Sequence, residues 1–159
     1  MILRLIGAVM ILVSSAVMGA YTANVYARRV TSTEEVTAFI KYIKRNIESF
    51  KMPVEDMFFS YTSEHFEETG FLDAIRTAGL EEAIGGGYLT LSKNAEREFL
   101  SFASHLGRDY TDGEVKRCEY YIGVFEELYA AEKENASTNG RLYRVLPPLV
   151  AISLIILLI

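Results

Sequence analysis

The chain has 159 residues, half of them apolar and 23% charged. That is room for one soluble domain plus membrane segments, which excludes a multidomain enzyme. Sixteen Lys and Arg against twenty-one Asp and Glu leave a net charge of -5, which disfavours a basic nucleic-acid binder. The single cysteine, Cys118, excludes an internal disulfide framework and a zinc cluster of the usual four-ligand, Cys-based kind.

No charge interrupts Leu5 to Ala27. At about 1.5 Å per residue this run is long enough to cross roughly 30 Å of hydrocarbon as a helix. The competing reading is a secretory signal peptide, with Arg4 as its basic end, Ile6 to Val13 as its core and Val25-Tyr26-Ala27 as the cleavage site. The run exceeds the ~7 to 15 residues of a signal core, so the uncleaved transmembrane helix is preferred.

Thr31 to Asn139 reads as helices with short punctuation and no sustained period-two pattern, so the fold class is all-α. Ser32-Thr-Glu-Glu35 has the form of a capping box that starts a helix. Behind it Val36, Phe39, Ile40, Ile43, Ile47 and Phe50 fall on one helical face, which must be buried against other helices. Lys51-Met52 closes that helix. Pro53 opens another through Val54, Met57, Phe58 and Tyr61, which makes a helical hairpin.

Gly70 separates two short helical segments, Gly79 terminates the second, and Leu80 to Ile84 adds a further turn or two. Gly85-Gly86-Gly87 is the expected long connector. Ser92 caps a helix carrying Ala95, Phe99, Phe102, Ala103 and Leu106, and Gly107 ends it. A second capping box, Thr111-Asp-Gly-Glu114, opens a long final helix through Val115, Cys118, Ile122, Phe125 and Tyr129, with Asn139-Gly140 as the place where it frays or kinks.

Val145 to Ile159 is uncharged but would reach only about 22 Å as a helix. It contains Pro147-Pro148, suited to the first turn of a fresh helix. The expected organisation is therefore a transmembrane helix over 1–27, a cytoplasmic helical bundle over 28–144 and a short C-terminal membrane segment over 145–159. Arg28, Arg29, Lys41, Lys44 and Arg45 follow the first segment, and Lys133, Arg141 and Arg144 precede the last. Basic flanks stay on the cytoplasmic side, so both segments would anchor a cytosolic domain.

Catalytic arrangements are sparse. His65 lies among Glu64, Glu67 and Glu68 without HExxH or Glu-x-x-His spacing, which indicates a solvated helix face. His105, at a helix end, suits the helix dipole. The triple glycine lacks the Gly-Lys-Ser/Thr of a phosphate loop. Glu67-Glu68, Glu81-Glu82 and Glu126-Glu127 are adjacent in sequence but point about 100° apart on a helix, so they are surface charges. Cys118, at an apolar helical position, reads as a buried small hydrophobe. No metal, cofactor or enzymatic activity is expected. Ten tyrosines and nine phenylalanines, with pairs such as Phe58-Phe59 and Tyr120-Tyr121, suggest an aromatic face that docks on protein; ordinary amphipathic tyrosines are the alternative.

The order of parts resembles a known family. An apolar N-terminal helix ends in basic residues, and a helix starts at Met52-Pro53-Val54-Glu55. Then come Phe99 to Leu106-Gly107-Arg108-Asp109 and Arg141-Leu-Tyr-Arg144-Val-Leu146 before an apolar tail. This layout is similar to stage III sporulation protein AB, a family related in fold to the cytoplasmic domains of type II secretion F proteins. The resemblance implies a scaffold in the mother-cell membrane facing the forespore, with a cytoplasmic domain that docks the ATPase-like stage III sporulation protein AA within a multiprotein channel complex. It also implies lipid contact, leaves a second copy of the chain as a further partner, and carries over Gly107, Asp109, Glu114, Arg141 and Arg144 as turn, capping and membrane-edge residues. Two departures are Glu114, where the family usually has Gln, and Leu146-Pro147-Pro148, where Leu-Gly usually opens the tail. An exported helical binding module with a cleaved signal peptide, or a generic membrane-anchored interaction domain, are the alternatives.

Overall fold

The computed structural model describes residues 2–50 and 52–158, with side-chain surroundings for 7, 9–50, 52–142 and 145–153. The Arg144 side chain, Lys51 and the side chains of the tail beyond Ser153 lie outside the described residues. Seven α-helices follow in order among the described residues: α1 (Ile2–Phe50), α2 (Val54–Ser60), α3 (Glu64–Glu68), α4 (Phe71–Ala78), α5 (Leu80–Gly85), α6 (Lys93–His105) and α7 (Thr111–Leu158). There is no strand among them, as the absence of alternating patterns requires. The chain divides into two compact units, Met1–Arg28 with Glu132–Ile159, and Arg29–Ala131.

In the first unit, Val9, Met10, Val13, Val17, Met18 and Tyr21 of α1 are exposed, as are Leu142, Val145, Leu149 and Ile152 of α7. A surface this apolar is suited to lipid rather than water. Its buried positions among the described residues are the small Gly19, Ala23, Gly140 and Ala151, together with Glu132. The polar side chains of the span turn back on their own helix. Ser14 Oγ donates to the Met10 carbonyl at 2.8 Å and Thr22 Oγ1 to the Met18 carbonyl at 2.9 Å, so neither hydroxyl needs a water partner. Among the described residues, one helix, over Val9–Phe50, is long and apolar enough to cross a membrane.

The second unit is built around Phe39 of α1. Its ring meets Tyr61 at 4.9 Å and Phe66 at 5.8 Å edge-on, and Phe58 and Phe99 at 6.0 and 6.4 Å. Phe66 and Phe71 pack at 4.8 Å, and Phe99 reaches Phe125 of α7 at 5.9 Å, so rings from α1, α3, α4, α6 and α7 form one connected core. Edge-to-face packing adds to the large apolar area each ring removes from water. Val36, Ile40, Ile43 and Ile47 complete the buried face of α1, while Phe50, the last member of that row, is exposed.

Local signals set the short helices. Ser63 caps α3, accepting from the Phe66 N–H while its hydroxyl donates to Glu35 at 2.7 Å. Gly70 at φ 75° and Gly79 at φ 96° make the turns around α4, conformations costly for any residue with a Cβ. Ser92 accepts from the Ala95 N–H at the start of α6. Ser92→Ala should lower stability by about 1 kcal/mol, seen as a lower urea midpoint with an unchanged slope.

Three expectations are corrected in this part of the fold. Ser32-Thr-Glu-Glu35 does not start a helix: α1 passes straight through it, because no Gly or Pro separates Ala27 from Ser32 and continuation keeps the backbone bonded. Ser32 and Thr33 are instead fully buried, and Ser32 Oγ lies 3.0 Å from His65 Nε2. His65 is accordingly half-buried against α1 rather than on a solvated face. Pro147 and Pro148 lie inside α7 instead of opening a fresh helix; their fixed φ is helical, and each gives up the hydrogen bond of its missing N–H and crowds the carbonyl four residues before it. Of the aromatic residues, Phe39, Phe66, Phe71, Phe99, Phe102 and Phe125 are fully buried, whereas Tyr21, Phe50, Phe59, Tyr88, Tyr110 and Tyr120 are exposed. Within the pairs Phe58-Phe59 and Tyr120-Tyr121 one ring does turn outward, Phe59 and Tyr120 being exposed.

Candidate functional site

The turn between α6 and α7 brings together three of the residues singled out from sequence. Leu106 ends α6, its N–H bonded to the Ala103 carbonyl at 3.2 Å, and Gly107 reverses the chain at φ 79°, where glycine avoids backbone strain. Asp109 follows, and its Oδ1 accepts from the Tyr110 N–H at 2.8 Å. Thr111 is the first residue of α7, not its cap. Glu114 reaches back past it, so that Oε1 accepts from the Asp109 N–H at 3.0 Å. The second capping box is thus corrected in its partners, although Glu114 does tie down the turn. Glu114 also lies in the first turn of α7, where the helix dipole favours negative charge, and Asp109 lies two residues before that helix begins.

Arg117 completes the cluster and was not singled out from the sequence. Its Nη1 contacts Glu114 Oε1 at 2.5 Å and the His105 carbonyl at 2.8 Å, and its Nη2 lies 3.4 Å from Asp109 Oδ2. One guanidinium therefore spans the end of α6, the turn and the first turn of α7. The i, i+3 spacing of Glu114 and Arg117 was the signal that could have found it. The Glu114 side chain is only 5% exposed and that of Arg117 22%. Glu114 Oε2 is buried with no hydrogen-bond partner. Gly113 leaves the space the Asp109 carboxylate fills, because a Cβ there would collide with Asp109 Oδ2.

This turn forms one side of a groove of about 440 Å³, whose other side is the last turn of α1 and the start of α2. Ile47, Met52, Val54, Phe58 and Leu106 give it apolar walls, and Glu55, Asp109 and Glu114 give it acidic ones. A sequence profile of the stage III sporulation protein AB family matches residues 4–74 and 58–159, which together take in the groove, both long helices and the apolar ends. The chain belongs to the stage III sporulation protein AB family. Its role is accordingly in stage III of sporulation. No curated protein and no solved structure matches the chain.

The two remaining carried-over residues of this sporulation protein lie elsewhere. Arg141 is exposed on α7 in the first unit, and Arg144 lies three residues further along the same helix. His105, exposed at the end of α6, holds its Nδ1 2.8 Å from the Ser101 carbonyl and 3.0 Å from Ser104 Oγ. Among the described residues no three of His, Cys, Asp and Glu gather as metal ligands would.

Cys118 is fully buried one turn beyond Glu114. Burial, with the Glu114 carboxylate adding to it, pushes the thiol from 9.0 up to about 12. The thiol therefore stays protonated at neutral pH, and a thiol reagent should label Cys118 only after unfolding. The protonated form is favoured in the folded state. Its contribution to stability is thus complete below about pH 9 and is lost as pH rises toward 12. A Cys118→Ala variant should lose that part of the alkaline destabilisation, as chemical denaturation across the range would record.

Proposed function

We propose that this family member is a non-catalytic scaffold: a helical platform anchored in the mother-cell membrane facing the forespore, its central unit in the cytoplasm. It docks the ATPase-like stage III sporulation protein AA within a secretion-like channel complex, and the energy comes from that partner. The observation that carries this reading is the double use of α1. Its first part presents apolar side chains outward over Val9 to Tyr21, whereas Val36, Phe39, Ile40 and Ile43 of the same helix are fully buried. A helix of this composition suits an anchor and a folded domain together, the arrangement a membrane platform needs.

Sidedness rests on Arg28, Arg29, Lys41, Lys44 and Arg45 after the apolar stretch, and on Lys133, Arg141 and Arg144 before the tail, residues that the positive-inside rule keeps cytoplasmic. A role without catalysis is supported by the state of His65. Ser32, the hydroxyl beside His65, is fully buried and offers no surface to a substrate. The fold relation to type II secretion F cytoplasmic domains belongs to this proposal and suggests the platform role. The test is reconstitution of the full chain in lipid nanodiscs with stage III sporulation protein AA. Complex formation at micromolar concentration, with no ATP hydrolysis by the chain alone, is expected; no binding at that concentration would contradict the proposal.

A further inference from the structure

A recess of about 520 Å³ lies between α1 and the link from α2 to α3, and its lining is basic and rich in hydroxyls on a chain of net charge -5. Lys41, Tyr42 and Arg45 come from α1, and Ser60, Tyr61 and Thr62 from the end of α2 and the link. No Asp or Glu is among its described lining residues. Lys41 is paired with Glu126 at 2.6 Å, whereas Arg45 is exposed and makes no hydrogen bond or ion pair among the described residues. The link is fastened by other contacts. Arg76 Nη2 donates to the Phe59 and Tyr61 carbonyls at 3.4 and 3.3 Å, and Ser63 Oγ donates to Glu35 Oε2 at 2.7 Å. Two carbonyls and a carboxylate oxygen that would oppose an anion are therefore already bonded. Tyr61 is 8% exposed, with its ring 4.9 Å from that of Tyr42, and its hydroxyl makes no hydrogen bond among the described residues yet is not sealed from solvent. Burial, with Glu35 and Tyr42 adding to it, pushes that phenol from 10.0 up to about 12, so at neutral pH it presents a donor.

We propose that this recess takes an acidic side chain of a protein partner, its carboxylate forked by the Arg45 guanidinium with the Tyr61 hydroxyl as a second donor. Charge complementarity identifies the occupant, since an exposed guanidinium without a counter-charge, beside an open hydroxyl donor, calls for an anionic acceptor. A carboxylate fits better than a phosphate. With Lys41 already paired, one positive charge is free, and a guanidinium matches both oxygens of one carboxylate. A protein fits better than a lipid headgroup, because Arg45 follows Ala27, the end of the uncharged run, by about five turns of α1, whereas a headgroup layer is about one turn deep. This deepens the scaffold reading by naming the chemistry a docking partner would present, and it rests on that reading only in taking the carboxylate to belong to a protein.

The test uses the full chain in nanodiscs of zwitterionic lipid and a dye-labelled, end-blocked peptide with one glutamate between alanines, alongside versions carrying glutamine or phosphoserine in its place. The glutamate peptide should bind at least about tenfold more tightly than the glutamine one. Arg45→Gln should abolish that preference, and Tyr61→Phe, which keeps the ring, should lower it at least about threefold while circular dichroism is unchanged. Arg97→Gln, at a side chain 72% exposed on α6 and outside the recess, should leave it intact. Equal binding of the glutamate and glutamine peptides, no binding at millimolar peptide, a preference that survives Arg45→Gln or is untouched by Tyr61→Phe, or an equal loss with Arg97→Gln overturns the proposal. So does a phosphoserine peptide bound about tenfold tighter than the glutamate one, which would make the occupant a phosphate. Acetate competing as well as the whole peptide would mean a site for small anions, and displacement by phosphatidylserine but not phosphatidylcholine vesicles would mean a headgroup site; either overturns it. Failure of stage III sporulation protein AA to bind the wild-type chain, with the peptide preference intact, sinks the scaffold reading and leaves the recess assignment standing.

Discussion

Phe39→Ala should destabilise the Arg29–Ala131 unit by about 3–5 kcal/mol, enough to unfold much of it at physiological temperature. The size follows from the ring's position. Phe39 is fully buried and lies within aromatic packing distance of Phe58, Tyr61, Phe66 and Phe99, which come from three other parts of the chain. Truncation removes the transfer energy of the ring and leaves a cavity that these partners, themselves wedged between helices, can close only in part. Phe59→Ala is the control. At 63% exposure that ring should change stability by no more than about 0.5 kcal/mol. Urea denaturation of the two variants in the same detergent should separate them by several molar units of midpoint or leave Phe39→Ala with no folded baseline, whereas similar midpoints would contradict the core described here.

Arg117→Ala is expected to be the costliest change among the ion pairs. Loss of one partner of a fully buried pair costs about 3–5 kcal/mol, and with Arg117 22% exposed the figure here falls to about 2 kcal/mol. The loss is larger than the ion pair alone implies. The same guanidinium ties the His105 carbonyl at the end of α6 to Glu114 and Asp109, and its removal leaves the Glu114 carboxylate buried with one donor, the Asp109 N–H. Lys41→Ala breaks an ion pair at 2.6 Å to Glu126, but with both side chains more than half exposed it should cost under about 1 kcal/mol. Hydrogen exchange should localise the effect. Faster exchange of the amides from Arg108 to Glu114 is expected for Arg117→Ala and not for Lys41→Ala.

The parts of this molecule that were legible in the sequence are those decided by local chemistry. Ser92 and Gly79 mark helix ends because capping and left-handed glycine are properties of a few neighbouring residues. The buried face of α1 from Val36 to Ile47 was legible because period 3.6 is written directly in the residue types. What failed to read depended on distant partners. Ser32 has the composition of a cap, yet its hydroxyl serves His65 thirty-three positions away, a contact no local pattern encodes.

The proline pair misled for a related reason. Pro147-Pro148 was read as opening a new helix, but where the flanking residues already lie in helix, a fixed helical φ lets the prolines continue it. The candidate site was half legible. Gly107, Asp109 and Glu114 were marked as turn and capping residues, and the structure gathers them. Arg117 was passed over because an i, i+3 acid–base spacing on an exposed helix is common and usually weak, and only the burial of Glu114 makes this instance different.

The account depends on α1 crossing the membrane with the Arg29–Ala131 unit on the cytoplasmic side. The most direct measurement inserts a reporter between Gly86 and Gly87, in the exposed connector after α5. In one version it is a fluorescent protein that matures in the cytoplasm, and in the other a phosphatase that is active only after export. Bright fluorescence with an inactive phosphatase is the predicted result. An active phosphatase with no fluorescence would place the unit outside and contradict the account.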